Sequence, residues 1–587
     1  MKKLLRTLSL ALVLSLGLGF VAACQSDEPE ETQTTTTTTT APTEDPADSD
    51  DTDDTADTDD TDDSDSEGPQ EYEGELYKMR ILGSEGTTGK FLFSERERYN
   101  IWPVFEDMLH RYGLDPEFEA VAQDQYTTTI QTRMASGSDL PEFAKLTELG
   151  DTTIFRLADN GQILAMNEIV EDHSFTGESQ EFFSTGKGAR SWMLNTRDDG
   201  KVFFISQIQE TTYDGELGST NIVMQIRQDW LEAVGLDTPT TAQEFKEALV
   251  AFQENDVNGN GMPDEIISHN FANFGGGISE WFGLVYGLHN FAIIDGEPTE
   301  YTSPWYQEGA RAYFEYLHDL NSEGLLDPAV IGSTAQNTNI ENNRAAAVSN
   351  YTMATWNEPA VAGAEDPRYL PLGALQGTDG VEPLLGIEPP SMSWGRWGFT
   401  NQATDMDANG RLIDLLASEE YELLTQWGLE GETHEVDANG NRQLLPIALH
   451  DAYDEAYDAG MVIGDFLWAN GHMFMKRRFV PMENEISQVP EYKANAQIEL
   501  IGYPNTTPIG SENYLPVATV ADTERMLELS TDLTTRSQEL ATNLILGNED
   551  IADWDQHIAE LDELGLRETV EIQQGRLDRA IELGIFD

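Results

Sequence analysis

Between Arg6 and Lys78 the chain carries no Lys or Arg, and the fifty residues from Gln25 to Gly74 hold a Thr34–Thr40 run followed by Asp/Thr/Ser/Glu repeats. Like charges repel along this stretch and almost nothing apolar is present to bury, so it is read as a disordered, extended tether. As a flexible coil it spans on the order of 40 Å, and self-repulsion lengthens it. Folding is therefore confined to residues 75–587. That part is acidic too. Twenty of the 107 acids lie in the tether and three of the 33 bases precede it, which leaves 87 acids against 30 bases, a net of −57. Nucleic acid and anionic membrane surfaces are excluded as partners, because both require a basic patch to offset phosphate.

Ahead of the tether stand Lys2, Lys3 and Arg6, an apolar run from Leu8 to Phe20, and then Val21-Ala22-Ala23-Cys24. Charged start, short apolar run and small residues make up an export signal, and the run is shorter than the ~20 residues a membrane span needs. Val-Ala-Ala-Cys resembles a bacterial lipobox. The resemblance implies cleavage after residue 23, diacylglycerol on the Cys24 sulfur, and a stable membrane anchor on the extracellular face. Cys24 is the only cysteine, so disulfides and cysteine-ligated metals are excluded. The expected organisation is a signal over 1–23, a tether over 24–74 and a folded domain over 75–587.

The alternation in Leu76-Tyr77-Lys78-Met79-Arg80-Ile81-Leu82 predicts a first strand. A helix over Trp102–Tyr112, a strand over Glu117–Val121 and a helix over Tyr126–Ala135 follow. Strand, helix, strand, helix points to a parallel α/β layer. Further on, Thr240–Glu254 reads as a capped amphipathic helix, and Asp437-Ala438-Asn439-Gly440-Asn441 as a hairpin turn.

Several segments in order carry a family resemblance: "MASGSDLPEF" (Met134–Phe143), "DGKVFF" (Asp199–Phe204), "VMQIRQDWLEAVGL" (Val223–Leu236), "LNSEGLLDP" (Leu320–Pro328), "RAAAV" (Arg344–Val348), "SEEYELLTQWGLEG" (Ser418–Gly431) and Asp553-Trp554-Asp555 with "LDELGL". Together they resemble extracellular solute-binding proteins of carbohydrate ABC transporters, family 1 type, in particular the large lipoprotein (LipO/LplA-like) subgroup. The resemblance covers nearly all of 76–587. It implies a two-lobed α/β fold of the periplasmic-binding-protein type (type II), with a hinge and lobes built from discontinuous segments, the first crossing falling near 220–236. It also implies that a monomer captures an oligosaccharide and delivers it to permease subunits. Trp230 and Trp427 fall inside matched helices and are read as packing.

One motif has metal-ligand spacing. Asp256, Asn258, Asn260 and Asp264 fall at positions 1, 3, 5 and 9 of a loop with Gly261 at 6, and the Met262 carbonyl stands at 7. A hard cation such as Ca²⁺ needs six to eight oxygens, and this alternation delivers them to one point. Position 12 is Ile267 where a bidentate glutamate is usual, so Glu265 or a residue from elsewhere must complete the shell. The expected role of Ca²⁺ is to brace the C-terminal lobe, and the alternative reading is a polar turn closed by its own Asx hydrogen bonds.

Sugars present apolar faces and a rim of hydroxyls, so a stacked ring beside planar polar groups is the expected platform. Trp102, Trp281, Trp356, Trp394 and Trp397 stand in or beside loop-like contexts and are the candidates, with Asn357 and Glu358 next to Trp356, and Glu85 and Arg96 after the first strand, as hydroxyl partners. Each of these is equally a packing or surface residue. No P-loop, HExxH or GxSxG occurs, and Gly86-Thr87-Thr88-Gly89-Lys90 lacks phosphate-loop spacing. The chain is expected not to be an enzyme. A surface glycan hydrolase or lyase built on paired carboxylates, or a lipoprotein binding peptides or another solute, is the alternative.

Overall fold

The structure is a computed structural model. It describes residues 71–586 apart from 85–96, 98–99, 210–211, 214–215, 218–222, 270, 272–279, 330, 332–336, 351–362, 365–366, 378–384, 388–391, 446–475, 478–505 and 511–513. Of the tether, residues up to 70 lie outside the described residues, while Tyr72 near its end is packed on the folded part, its N–H donating to Arg111 O at 2.8 Å and its ring edge-on to Phe175.

A six-stranded sheet organises the first lobe. Arg80–Ser84 lies next to the edge, parallel to the edge strand Glu117–Val121 on one side and to Phe143–Lys145 on the other. Beyond these come Met392–Phe399, antiparallel, then Ile205–Gln209 and Lys476–Arg477. Consecutive side chains of a strand point to opposite faces, and here both faces are buried. Ile81, Phe143 and Ile205 belong to a core with Phe105, Met108 and Leu412, while Leu82, Ala144 and Phe204 belong to another with Tyr126, Ile130 and Phe155. Burial on both sides accounts for the adjacent apolar pairs Ile81-Leu82 and Phe143-Ala144, whose members enter different cores.

The first strand starts later than its alternation predicts. Tyr77 makes only an isolated bridge to Leu114, and the ladder begins at Arg80 because its partner strand begins there, at Glu117. Likewise Asp199–Phe204 leads into a strand that begins at Ile205. The helix Gln123–Ser136 ends on Gly137 at φ 63°, a left-handed turn that suits glycine and releases the chain into Phe143–Lys145.

A second, four-stranded sheet runs Tyr369–Pro371, Val223–Arg227, Ala345–Asn350, Ile266–Ser268. Its Met224, Ile226 and Ala347 pack on the helices Ala242–Asn255, Gly309–Ser322 and the long Val520–Leu546. Trp230 sits edge-on to Phe252 at 5.6 Å, and Trp305, Phe314 and Trp554 form a mutually touching trio, Trp305 stacking on Phe314 at 5.1 Å and on Trp554 at 5.7 Å. Thr241 caps Ala242–Asn255 by accepting from Glu244 N at 3.0 Å, and the Glu244 carboxylate accepts from Thr240 N at 2.9 Å. A third sheet of four strands includes Phe291–Ile294 and Thr506–Gly510. His434–Val436 and Arg442–Leu444 form the hairpin read from the sequence, its turn held by Asp437 Oδ1 accepting from Asn439 N and Asn441 N.

Candidate functional site

Open α/β sheets bind ligands outside the carboxyl ends of their strands. At that end of Phe143–Lys145 the chain makes a short turn, Thr147–Leu149, and enters the helix Asp151–Asp159. Its N-cap is Gly150 at φ 70°, which has no side chain to satisfy the first-turn amides. A cavity of about 270 Å³ opens there. One wall is first-lobe: Gly150, Asp151 and Thr152 with Leu194, Asn195 and Arg396. The facing wall comes from the C-terminal segments: Leu515, Val517 and Ala518, then Thr523 and Met526 of the long helix, and Arg576.

The two walls are fastened beside the cavity, where Val517 N donates to Leu194 O at 2.8 Å. Arg396 lies over the Phe204 ring at 5.2 Å and engages Asp151, Nη2 donating to Oδ2 at 3.0 Å and Nε facing Oδ1. Arg576 Nε donates to Pro516 O at 2.8 Å and Nη1 to Gln573 Oε1 at 2.7 Å. Asn195 Nδ2 donates to Ser206 Oγ at 3.0 Å. The cations are thus matched by a carboxylate or by carbonyl oxygens. The site combines apolar side chains with hydroxyl, amide and guanidinium groups, the mixture that binds a polyhydroxylated ligand. Deeper at the same sheet edge, Lys145 Nζ donates to Ser84 Oγ at 3.1 Å and pairs with Glu148 at 2.7 Å, a buried charge pair that holds the strand ends.

Of the tryptophans singled out from sequence, Trp102 is 6% exposed and edge-on to Phe105 and Phe118, and Trp397 is 2% exposed and stacked on Phe143 at 5.3 Å. Both are packing residues of the first-lobe core here. Trp281 lies in the helix Glu280–Leu284 and Trp394 in the strand Met392–Phe399, and their side chains fall outside the described atoms. Trp356, Asn357, Glu358, Glu85 and Arg96 fall outside the described residues. Sequence reasoning missed Asp151, Thr523 and Arg576. Arg396 had a signal, since it stands between the two singled-out tryptophans of "SMSWGRWGF".

The loop after Ala242–Asn255 is a turn closed by its own side-chain-to-backbone hydrogen bonds. Asp256 takes φ 47° and closes the helix, while Gly259 and Gly261 have φ 73° and 80°. Gly261 N donates to Asp256 Oδ1 at 2.9 Å, Asn260 N to Asn258 Oδ1 at 3.0 Å, and Met262 N to Asn260 Oδ1 at 2.8 Å. Asn258 and Asn260 both donate to Asp264 Oδ1, whose other oxygen pairs with Arg344 at 2.9 Å. The Met262 carbonyl accepts from Asp264 N at 3.0 Å. Ile267 is buried in the strand Ile266–Ser268 and takes no part. Glu265 is fully buried, its carboxylate accepts from Asn258 N at 3.3 Å, from Asp264 N at 3.2 Å and from its own backbone N–H, and burial pushes its carboxyl up. A carboxylate buried at this depth fits a cation partner. Among the described residues no group of three or more His, Cys, Asp or Glu is placed to hold a metal, so a shell here needs the Asn258 and Asn260 amide oxygens and the Met262 carbonyl.

No family model matches the sequence. The chain is 21% identical over 465 residues, 76% of its length and 81% of the relative's, to the fructooligosaccharide ABC transporter substrate-binding protein FusA of Streptococcus pneumoniae. It is 25% identical over 301 residues, 47% of its length and 58% of the relative's, to the lipoprotein LipO of Bacillus subtilis. The fold matches FusA in complex with kestose at a TM-score of 0.65 and 16% identity, covering 86% of this chain and all of that one. It also matches the alginate-binding protein AlgQ2 without calcium ion at 0.61 and 18%, covering 86% and 98%. The fold is therefore the two-lobed α/β fold of solute-binding proteins, and the relatives in sequence and structure are substrate-binding proteins of carbohydrate ABC transporters.

Proposed function

We propose that this protein is a lipid-anchored extracytoplasmic receptor that captures an oligosaccharide between its lobes and delivers it, as a monomer, to the permeases of an ABC transporter. The observation that carries this reading is the cavity between the first-lobe wall at Asp151 and Arg396 and the facing wall at Thr523 and Arg576, in a fold shared with sugar-binding receptors. A ligand touching both lobes makes more contacts when they are together than apart, and that difference drives closure. Cys24 and the tether after it hold the receptor near its permease at high effective concentration.

Ca²⁺ is assigned to the loop Asp256–Glu265, with Asp256, Asn258, Asn260, Asp264 and Glu265 as side-chain ligands and Met262 contributing its carbonyl. Bound there, the ion supplies charge compensation and rigidity where a helix turns into the second sheet. Two proteins of this fold support the reading: AlgQ2, solved without calcium ion, and FusA, solved as an EF-hand mutant.

Calorimetry of residues 67–587, a compact unit, against neutral and acidic oligosaccharides, with the sugar analysed afterwards, tests the reading. One-to-one binding with sugar recovered intact supports a receptor, whereas cleaved sugar identifies a hydrolase or lyase. Cys24→Ser tests the anchor, and the expected result is release of the protein from the membrane fraction.

A further inference from the structure

Tyr72 is the only aromatic residue between Gln25 and Gly74, and that stretch holds no Val, Ile, Leu, Met or Phe. The fold has a socket for this one ring. It lies over Gly74 and Gly113, where a Cβ on either residue would overlap it. It meets Phe175 edge-to-face at 6.0 Å, and the Arg411 guanidinium covers it at 4.3 Å. The chain around it is bonded too: Tyr72 N donates to Arg111 O at 2.8 Å, Tyr77 N to Gly113 O at 2.9 Å, and Asp115 N to Tyr77 O at 2.9 Å.

The socket is held from behind. Phe175 N donates to Asp414 Oδ2 at 2.5 Å, and Asp414 is fully buried and also accepts from Thr176 N at 2.8 Å and Ser179 N at 3.0 Å. Arg411 stands on the same helix, Met406–Ala417, and is 6% exposed. Among the described residues it has no carboxylate partner, and its Nε is buried without an acceptor. A guanidinium so far withdrawn from water needs compensation, and the face of the Tyr72 ring supplies it.

Place matters as much as contact. The segment 72–77 runs beside 111–115, at the amino ends of Arg80–Ser84 and Glu117–Val121, whereas Gly150 and Asp151 of the cavity follow the carboxyl end of Phe143–Lys145. From these contacts we propose that Tyr72 is the fastening point of the membrane tether, a ring plugged into a first-lobe socket of Gly113, Phe175 and Arg411. Pull from the anchor then enters the first lobe at the end of its sheet opposite the cavity and leaves the second lobe free to move. The pull rests on the lipid-anchored reading, and the plug rests on the contacts themselves.

Full-length protein in its membrane fraction is digested with a glutamate-specific protease, and the N-terminus of each released fragment is sequenced over time. Glu67 and Glu71 offer cuts before the plug and Glu73 and Glu75 cuts after it. Cleavage of a folded segment tracks the population of its opened form. The expected result is release by cleavage after Glu67, with cleavage after Glu73 and Glu75 at least about tenfold slower. Tyr72→Ala is expected to speed the cuts after Glu73 and Glu75 by about tenfold or more, while Tyr72→Phe, which keeps the ring, stays protected. Cooperative melting of both variants shows that the cuts report the plug and not a collapsed domain. Equal rates after Glu67 and Glu75 in the unchanged protein overturn the plug. An unaltered cleavage pattern in Y72A overturns the role of Tyr72, and a Y72F as open as Y72A overturns its assignment to the ring. Recovery of the unchanged protein in the medium before protease is added overturns the lipid anchor and the pull with it, whereas the plug stands or falls by the same cuts in the soluble protein.

Discussion

Arg227 clasps Asp229 at two points, Nε donating to Oδ1 at 2.7 Å and Nη2 to Oδ2 at 2.5 Å, with Arg227 only 2% exposed. The same guanidinium lies 4.3 Å over the Trp230 ring and donates to Asn343 Oδ1 at 2.7 Å. The run Arg227-Gln228-Asp229-Trp230 is thus one assembly: a strand end, a helix start and the ring that covers both. Removing one partner of a buried ion pair leaves the other charged and unmatched, at a cost of about 3–5 kcal/mol. Asp229→Ala is expected to lose stability of that order in urea unfolding of the second lobe. A loss below about 1 kcal/mol would mean that the pair is a surface feature.

A calcium prediction follows from the buried Glu265 carboxylate. A ligand that binds only the native state stabilises it by mass action. Chelation is expected to lower the melting temperature and Ca²⁺ to restore it, and Glu265→Gln is expected to make the melt insensitive to both. The same melt with and without chelator in unchanged protein would leave Asp256–Glu265 as a turn closed by its own hydrogen bonds.

His269 supplies a pH dependence. It is 3% exposed, its ring meets Phe271 edge-on at 4.6 Å, and burial pulls its pKa to about 3. The unfolded chain binds a proton below the ordinary histidine value of about 6.5, while the folded chain does not. The contribution is therefore full above about pH 6.5 and is lost as pH falls from there toward 3. At pH 5 the loss is on the order of 2 kcal/mol. His269→Gln is expected to flatten the stability profile between pH 7 and 5 relative to the unchanged protein, with a smaller slope left from His289, which burial also lowers. Parallel profiles for the two proteins would rule out His269 as the source.

The parts legible in the sequence were those set by neighbours along the chain. Glu117–Val121 forms over the residues its pattern indicates, Thr241 and Glu244 make the capping box, and Asp437 nucleates its turn, because each rests on contacts within a few residues. The cavity was not legible in that way. Asp151, Arg396, Thr523 and Arg576 come from four distant segments, and no spacing along the chain marks residues that meet only in the fold. The setting of Trp397 was hidden for a related reason. Trp397 follows Gly395 and Arg396 and reads as loop, yet it lies in a strand between two buried layers, so alternation turns its ring inward onto Phe143.

Trp397 separates packing from binding experimentally. With its ring 2% exposed and stacked on Phe143, Trp397→Ala removes a large buried side chain and opens a cavity in the first-lobe core. Such truncations cost about 3–5 kcal/mol. The replacement Trp397→Phe keeps a ring against Phe143 and is expected to recover most of that loss. If Trp397 acts only through packing, W397F binds sugar as the unchanged protein does, and W397A loses affinity only where it also unfolds. A folded W397F with sugar affinity reduced by tenfold or more would place the indole in contact with ligand and require the strand Met392–Phe399 to shift when the lobes close.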